Sequence, residues 1–401
     1  MELLKLILIF VLIIAFLGFK KPMYVVMLGA SVLLALLFAM PAKQFLLVFG
    51  GSLISSSTLV LVAIVWLVMI MEGMMNERGF MQKILTALDA LFHSRRIDLA
   101  MMPMIIGFLP SAGGALFSAP LVAKAAEGLG LAPEKKALVN IYFRHIMELF
   151  FPTYPALIIA AQLSGLPMFN LVKLLFPVTV VAFCIGLLML REVKSVKTER
   201  AGEGSRWKLL GAFLLSIWPF LLLITLIMAA RLEAVTAVLI TTVCVAVFLK
   251  VTPRELPRMV LKVTKWKLLL IIITVMAFKD VLLSSGAVDQ LPEIVGRLPI
   301  SPLFAFSILA LFISLITGLP ISANAIIIPL ASAAIPGIAD TAIALLVISS
   351  YVGAQLTPLH LCITISAEYF EANLQKVILR SLPPYLSIYA AAALLFGVIL
   401  A

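Results

Sequence analysis

The chain has 401 residues and a mass of 43.5 kDa, enough for two or three soluble domains. Its composition excludes them, because 63% of the residues are hydrophobic, 12% are charged and the mean hydropathy is +1.20, whereas a globular domain has about 25% charged residues. A net charge of +11 would suit a nucleic-acid partner, but no basic patch with interleaved aromatic residues occurs, and we expect no nucleic-acid binding. The sequence predicts a multi-pass protein of the cell's inner (plasma) membrane.

Eight uninterrupted apolar runs are predicted to cross the membrane as helices. The first run is followed by Lys20 and Lys21 and has no small-residue cleavage site, so we expect it to be retained rather than removed as a signal peptide. The runs cover residues 3–19, 23–40, 52–75, 168–191, 207–230, 234–249, 266–284 and 377–400.

Four further apolar stretches are interrupted by Pro, Gly and small polar residues. Pro and Gly free backbone groups that lipid cannot satisfy, so such breaks must be enclosed by protein or line a watery cavity. We predict re-entrant hairpins at 97–126 and 301–337, and broken helices at 136–165 and 341–370. Polar hairpin midpoints favour hairpins that turn back inside the membrane, but fully spanning helix pairs would leave the rest of the topology unchanged.

The order of elements in the first half of the chain recurs in the second half. Each half has three spans, an amphipathic segment, a hairpin, a broken helix and a closing span. Local sequence agrees at an offset of about 206 to 210, since the segment 107–113 matches 318–324 and Glu72 lies opposite Asp280. An internal repeat with paired broken segments is typical of secondary transporters.

The repeat predicts an all-α polytopic membrane protein with two inverted-topology repeats, 1–191 and 207–401, joined by a cytoplasmic linker at 192–206. Each repeat has about five spans, one re-entrant hairpin and one broken helix. Most of the 30 Lys and Arg residues then lie on one side, which the positive-inside rule assigns to the cytoplasm. Both termini are therefore predicted to lie outside. The amphipathic segment 80–92 is interpreted as an interfacial helix, either a hinge arm or plain packing.

Polar groups at membrane depth are costly and are therefore functional candidates. The densest group is Arg144, His145 and Glu148 in the first broken helix, with Thr153 at its break. Arg144 and Glu148 share a helical face, so they either form a structural ion pair or act on the substrate or coupling ion. His145 either packs as a neutral side chain or relays protons. One His–Glu pair is weak evidence for a metal, and we expect none.

The second broken helix contributes Thr357 and His360, and we favour His360 as a site residue because it lies at the break. At a hairpin tip, a half-helix N-terminus attracts anions, while small residues allow close approach of the backbone. Side-chain oxygens at the tips and breaks would equally line a Na⁺ site with backbone carbonyls, and small residues also serve close helix packing. The tip candidates are Ser111, Gly113, Gly114, Ser322 and Asn324.

Other polar residues have simpler interpretations. Lys279 and Asp280 are interpreted as boundary charges, and the run 55–58 as a helix start. The three cysteines lie apart in apolar runs and predict neither a disulfide nor a Cys-pair metal site. No nucleotide-binding or metalloprotease motif occurs, and an intramembrane hydrolase using Ser111 and His145 would lack a nucleophile motif, so we expect no enzyme. The cysteines are Cys184, Cys244 and Cys362.

The hairpin segments and the breaks at Pro152 and Pro358 resemble the ion transporter superfamily, which includes gluconate, citrate, dicarboxylate and Na⁺/H⁺ antiporter families. The stretches 108–120 and 357–362 look most like its branch of bacterial and archaeal integral membrane proteins without an assigned function. The resemblance covers nearly the whole chain. It implies a substrate site between the hairpin tips and the broken helices, and a dimer with an elevator-like moving domain. Members with a Ser-Asn-Thr signature bind carboxylate and Na⁺, and both tips here depart from it.

The sequence as a whole predicts a secondary active transporter of a small, carboxylate-like organic anion, coupled to H⁺ or Na⁺ by symport. The alternative is a cation/proton antiporter that uses the carboxylates Glu72, Glu148 and Asp280. No cofactor is expected apart from a bound Na⁺, and the expected partners are the anion, the lipid bilayer and a second copy in a homodimer. Predicted coupling-ion residues are Glu148, Ser111 and Asn324. Predicted substrate-binding residues are Ser111, Gly113, Gly114, Arg144, His145, Thr153, Ser322, Asn324, Thr357 and His360.

Overall fold

A computed structural model describes the chain except for residues 1–4, 6–7, 10, 14, 17–20, 80–93, 109–113, 194–205, 288–299 and 398–401. The described ranges contain seventeen helices with defined bounds. In chain order they are α1 (Met23–Leu37), α2 (Ala42–Leu53), α3 (Ser56–Glu77), α4 (Arg95–Ile106), α5 (Gly114–Ala125), α6 (Pro133–Ile146), α7 (Pro155–Ser164), α8 (Met168–Met189), α9 (Arg206–Met228), α10 (Ala234–Phe248), α11 (Leu256–Val263), α12 (Trp266–Ser284), α13 (Pro302–Thr317), α14 (Pro320–Ala334), α15 (Asp340–Ala354), α16 (Leu361–Tyr369) and α17 (Leu374–Leu395).

Within the described ranges, three helical stretches are long and apolar enough to cross a membrane: Ala42–Glu77, α8 and α17. The helices of the interrupted segments are shorter. Helices α14 and α15 have 15 residues each, about 22 Å of helix, against a hydrocarbon layer of about 30 Å. These helices are therefore too short to cross the membrane alone.

The break between α2 and α3 corrects one predicted boundary. The predicted span 52–75 is preceded by a separate helix, α2, which the sequence reading did not anticipate. The interpretation of the run 55–58 as a helix start agrees with the structure, because Ser55 Oγ accepts a hydrogen bond from the backbone N–H of Thr58 at 3.3 Å. A serine at this N-cap position satisfies one of the free N–H groups at the start of α3.

The predicted interruptions appear as gaps between short helices. The second hairpin turns at Gly318, which has a φ of 70° that favours glycine. The first broken helix passes through a 3₁₀ turn at Met147–Leu149 before the chain resumes as α7. The second breaks between Ala354 and Leu361. The turn of the first hairpin, the interfacial segment 80–92 and most of the linker lie outside the described residues.

Helices with the same place in the two halves have matching neighbours. The hairpin helices pack as α4 on α5 and α13 on α14, and the second hairpin helix of each half packs on the far end of the other half's broken helix, α5 on α16 and α14 on α7. The closing helices α8 and α17 pack on each other, and each also packs on both α6 and α15. The two halves are therefore interlocked rather than side by side.

The short helix α11 was not predicted and lies against the end of α3. Arg78 donates to Glu255 at 2.7 Å and Lys262 donates to Glu77 at 2.6 Å. Hydrogen bonds from Thr252, together with the charge of Arg78, hold the pKa of Glu255 below its ordinary value. Because these groups are largely accessible to water, each ion pair contributes little to stability.

A glycine allows α15 to pack closely on α13. A Cβ atom added at Gly353 would lie 2.1 Å from the backbone oxygen of Leu311. We expect Gly353→Ala to lower the free energy of unfolding in detergent by about 1–3 kcal/mol, because a main-chain oxygen in a helix cannot turn away from the added methyl group. Thermal unfolding followed by size-exclusion chromatography measures the change.

Gly50→Ala is the matched control, because nothing lies within 4 Å of an added Cβ at this position in α2. Alanine is favoured over glycine in helices by up to about 1 kcal/mol, so this variant should unfold at an unchanged or higher temperature. Equal losses in the two variants would contradict the close packing of α13 on α15.

Candidate functional site

The two broken helices meet through a pair of histidines. His145 lies in the last turn of α6, and His360 is the N-cap residue of α16. Their Nε2 atoms are 3.0 Å apart, and the two rings meet edge to face with centroids 4.8 Å apart. Both side chains are buried. Two residues that are far apart in the sequence therefore form a direct contact between the two halves of the chain.

Each imidazole is held by a backbone carbonyl at its other nitrogen. His145 Nδ1 lies 2.7 Å from the oxygen of Ile141, and His360 Nδ1 lies 2.9 Å from the oxygen of Gly318. A carbonyl oxygen only accepts, so each Nδ1 carries the proton and donates. In the neutral form of each ring the Nε2 atom therefore presents a lone pair to the other histidine.

Arg144 lies beside this pair, with only 2% of its surface exposed. Its Nη1 atom is 3.5 Å from His145 Nε2 and 3.6 Å from Cys362 Sγ. The structural ion pair considered for Arg144 and Glu148 stays a prediction. Glu148 is partly buried and accepts a hydrogen bond from the Gln355 amide at 3.4 Å. The partner of Glu148 thus comes from the other half of the chain.

Both hairpins are tied to a break by the same kind of bond. The N-cap residue of α7, Tyr154, donates from its hydroxyl to the carbonyl of Gly107, which ends α4. The N-cap residue of α16, His360, donates to the carbonyl of Gly318, which ends α13. The last carbonyl groups of a helix have no N–H partner within that helix. In each hairpin, the side chain at the start of a half-helix donates a hydrogen bond to such a carbonyl.

The hairpin glycines also allow the backbone to approach the broken helices. A Cβ at Gly107 would lie 2.1 Å from the Arg144 carbonyl oxygen, and one at Gly318 would lie 2.6 Å from the carbonyl carbon of Leu359. Any side chain at either position would push the hairpin away from the broken helix. These two glycines therefore set how closely the hairpins approach the histidine pair.

Two buried asparagines connect three helices each. Asn324 in α14 donates to the carbonyl of Ala156 in α7 at 3.0 Å and accepts from Ser350 in α15 at 2.6 Å. Asn140 in α6 donates to the carbonyl of Ala115 in α5, at 3.2 Å, and to the hydroxyl of Ser366 in α16, at 2.9 Å. Each asparagine joins a hairpin to both broken helices. The side chain of Asn324 is consequently occupied by protein partners.

Two predicted site hydroxyls have no partner among the described residues. Thr153 Oγ1 and Ser322 Oγ are buried and make no hydrogen bond there. Thr153 immediately precedes the start of α7, and Ser322 lies in the first turn of α14, which packs on α7. Thr357 differs, because its hydroxyl accepts from the backbone N–H of Leu359 at 3.3 Å within the break. The tip of the second hairpin thus has free polar groups beside the first break.

The remaining predicted residues are placed as follows. Ser111 and Gly113 lie outside the described residues, and Gly114 begins α5. Lys279 and Asp280 pair with each other at 3.2 Å and are partly exposed. Glu72 is partly buried, and one of its carboxylate oxygens is inaccessible and has no partner in the described part of the chain. The histidines, Arg144 and Glu148 therefore form the best-defined part of the site.

Cys362 is the site residue that the sequence reading missed. It was interpreted as an isolated thiol in an apolar run, yet its Sγ lies within 4.8 Å of the Nε2 or Nδ1 ligand atoms of His145 and His360. The available signal was its position two residues after His360, on the first turn of the half-helix that follows the break. Asn140 and Ser350 were also missed, because their partners lie on other helices.

Comparisons with known proteins agree with a transporter fold. The chain is similar to a solved structure described as "Crystal structure of the Alcanivorax borkumensis YdaH transporter reveals an unusual topology", with 16% identity and a TM-score of 0.66 over 90% of this chain and 89% of that one. At this identity the likeness shows a shared fold. No curated protein matches the chain. The family described as "Protein of unknown function (DUF401)" matches residues 2–399, and the chain belongs to that family.

Proposed function

We propose that the protein is a secondary active transporter of a small organic anion, with a carboxylate group as the recognised feature. The observation that carries this proposal is the buried guanidinium of Arg144 at the meeting point of two broken helices. An ionisable side chain inside an apolar membrane protein is costly and is retained where it binds or moves a charged species. The transporter fold supports the same reading.

The electrostatics of the site favour an anion. The N-termini of α7 and α14 lie next to each other, as the bond from Asn324 to Ala156 requires, and their unpaired N–H groups carry positive partial charge. Thr153 and Ser322 add two hydroxyl donors without protein partners in the described residues. A carboxylate between these donors and Arg144 would receive charge-assisted hydrogen bonds.

The donor atoms favour H⁺ over Na⁺ as the coupling ion. Asn324, which was predicted to bind the coupling ion, already uses its amide for Ala156 and its oxygen for Ser350. The groups near the two Nε2 atoms are nitrogen and sulfur atoms and a cation, whereas Na⁺ requires oxygen ligands. Glu148 is the proposed proton carrier, since it is partly buried and its described partner is the neutral amide of Gln355.

The proposed mechanism is elevator-type alternating access in the inner membrane, with inverted repeats at 1–191 and 207–401. The matched packing of the hairpins and broken helices supports the repeat, and the shortness of α14 and α15 supports re-entrant segments. We also propose that the protein belongs to the ion transporter superfamily, that both chain termini lie outside the cell's inner membrane, and that the protein forms a homodimer. Uptake, rather than an enzymatic reaction, is the proposed activity.

A cation/proton antiporter is the second candidate. It is favoured by Glu72, a carboxylate with one inaccessible and unpartnered oxygen among the described residues. Replacing Glu72 by Gln should abolish Na⁺-dependent pH changes in everted vesicles if this candidate is right. Under the anion proposal, the same vesicles show no such pH change in the unaltered protein.

Uptake into proteoliposomes tests the proposal directly. Purified protein is reconstituted and offered radiolabelled mono-, di- and tricarboxylates under imposed pH or Na⁺ gradients. We expect saturable uptake of at least one carboxylate, accelerated by an inward H⁺ gradient. Flux that does not saturate and does not respond to either gradient would contradict the proposal.

Arg144→Gln tests anion recognition. A charged hydrogen bond contributes about 1.5–3 kcal/mol, so we expect the apparent affinity for the carboxylate to fall by about 10- to 100-fold. Arg78→Gln is the matched control, because Arg78 is exposed and pairs with Glu255 away from the histidines. Concentration-dependent uptake measures both variants. An unchanged affinity in Arg144→Gln would remove this residue from the substrate site.

Glu148→Gln tests the coupling step separately. The amide cannot carry a proton, so we expect uptake to lose its response to a pH gradient while substrate exchange across the membrane, which moves no net proton, continues. Glu255→Gln, at an exposed carboxylate outside the membrane region, should keep the response. Counterflow and gradient-driven uptake, measured on the same vesicles, separate the two processes. A retained pH response in Glu148→Gln would assign proton transfer to another group.

A further inference from the structure

Three potential metal ligands converge where the broken helices meet. The ligand atoms of His145, His360 and Cys362 all lie within 4.8 Å of one another, and all three residues are buried. We propose that they form a binding site for a thiophilic metal ion, Zn²⁺ or Cu⁺. This inference is independent of the proposed transport activity and departs from the expectation of no metal drawn from the sequence.

The orientation of the histidines is the first argument. Both Nδ1 atoms donate to backbone carbonyls, an arrangement that fixes the ring and directs the Nε2 lone pair in metal sites. The two Nε2 atoms then face each other at 3.0 Å. Two facing lone pairs repel, and a cation placed between them removes that repulsion.

The thiol of Cys362 is the second argument. A thiolate, rather than a thiol, is the metal ligand, so binding releases one proton from Sγ. The Arg144 guanidinium lies 3.6 Å from this sulfur and favours the negative thiolate. The sulfur is buried within an apolar segment, where solvent does not compete for the ion.

The spacing of the two nitrogens fits a metal, and the sulfur, which lies within 4.8 Å of them, moves closer on binding. With Zn–N distances of about 2.0–2.1 Å and a Zn–S distance of about 2.3 Å, tetrahedral geometry places two nitrogens about 3.3 Å apart. The observed separation of 3.0 Å is close to this value. The remaining coordination position is open to a water molecule or to an anionic ligand.

The donor set selects the class of ion. Two imidazoles and a thiolate are poor ligands for Na⁺, Mg²⁺ or Ca²⁺, which prefer oxygen, and good ligands for Zn²⁺ and Cu⁺. A Cu⁺ ion with one thiolate is electrically neutral, whereas Zn²⁺ leaves one positive charge next to Arg144. The apolar surroundings therefore favour Cu⁺ over Zn²⁺.

Arg144 competes with the ion for the same atoms. Its Nη1 is 3.5 Å from His145 Nε2, so the guanidinium must withdraw when the metal binds. A bound metal ion keeps a coordinating thiol deprotonated without help from Arg144, so removing this positive charge relieves repulsion of the ion and should strengthen metal binding. The same substitution is expected to weaken carboxylate binding, so the two proposals predict opposite effects for one variant and fail independently.

Metal binding to the full-length protein in nanodiscs tests the site. The protein is stripped with chelator and reductant, then dialysed against Zn²⁺ or, without oxygen, against Cu⁺, and its metal content is measured by mass spectrometry. We expect one ion per chain, with X-ray absorption showing nitrogen ligands at about 2.0 Å and one sulfur at about 2.3 Å. Arg144→Gln should retain the ion more tightly.

Cysteine variants provide matched controls. Cys362→Ser and His360→Asn should each lower the affinity by at least about tenfold, whereas Cys184→Ser and Cys244→Ser, at less buried thiols elsewhere, should leave it unchanged. Circular dichroism confirms that each variant keeps its helices. The proposal would be overturned if the unaltered protein retained no ion. It would also be overturned if Cys362→Ser retained as much metal as the unaltered protein, because the ion would then be bound at another site.

Discussion

The arrangement of the site depends on how the chain satisfies backbone carbonyls at its hairpin turns without water. A free carbonyl costs several kcal/mol in an apolar medium. In both hairpins the carbonyl of the turn glycine, Gly107 or Gly318, accepts a bond from the N-cap side chain of a half-helix, Tyr154 or His360. The same two bonds fix where the breaks lie, and thereby where the functional side chains meet.

Interlocking of the two halves follows from this arrangement. The second hairpin helix of each half packs on the far part of the other half's broken helix, and Asn140 and Asn324 connect each such group of three helices. Buried hydrogen bonds between helices favour one arrangement over alternative packings. The site is consequently shared, with Arg144 and Glu148 from one half and Gln355, His360 and Cys362 from the other.

Much of the fold was predictable, because proline, glycine and charged residues mark the ends of apolar helices within a few residues of the sequence. The breaks after Leu149 and Ala354 are of this kind. Helix α2 was missed because its sequence is continuous in hydropathy with α3, and the contact of Glu148 with Gln355 was missed because Gln355 lies in the other half. The local signal of Cys362 was its position two residues after His360, whereas its contact with Arg144, 218 residues away in the sequence, had no local signal.

The second histidine also has a mechanical role. One nitrogen of His360 holds the hairpin carbonyl of Gly318, and the other faces His145 on the opposite broken helix. A planar aromatic ring is rigid, so it keeps the two atoms that its nitrogens contact, the Gly318 oxygen and His145 Nε2, at a nearly constant separation. A displacement of the second hairpin at Gly318 would therefore move His360 against His145, and so change the surroundings of Arg144 on α6.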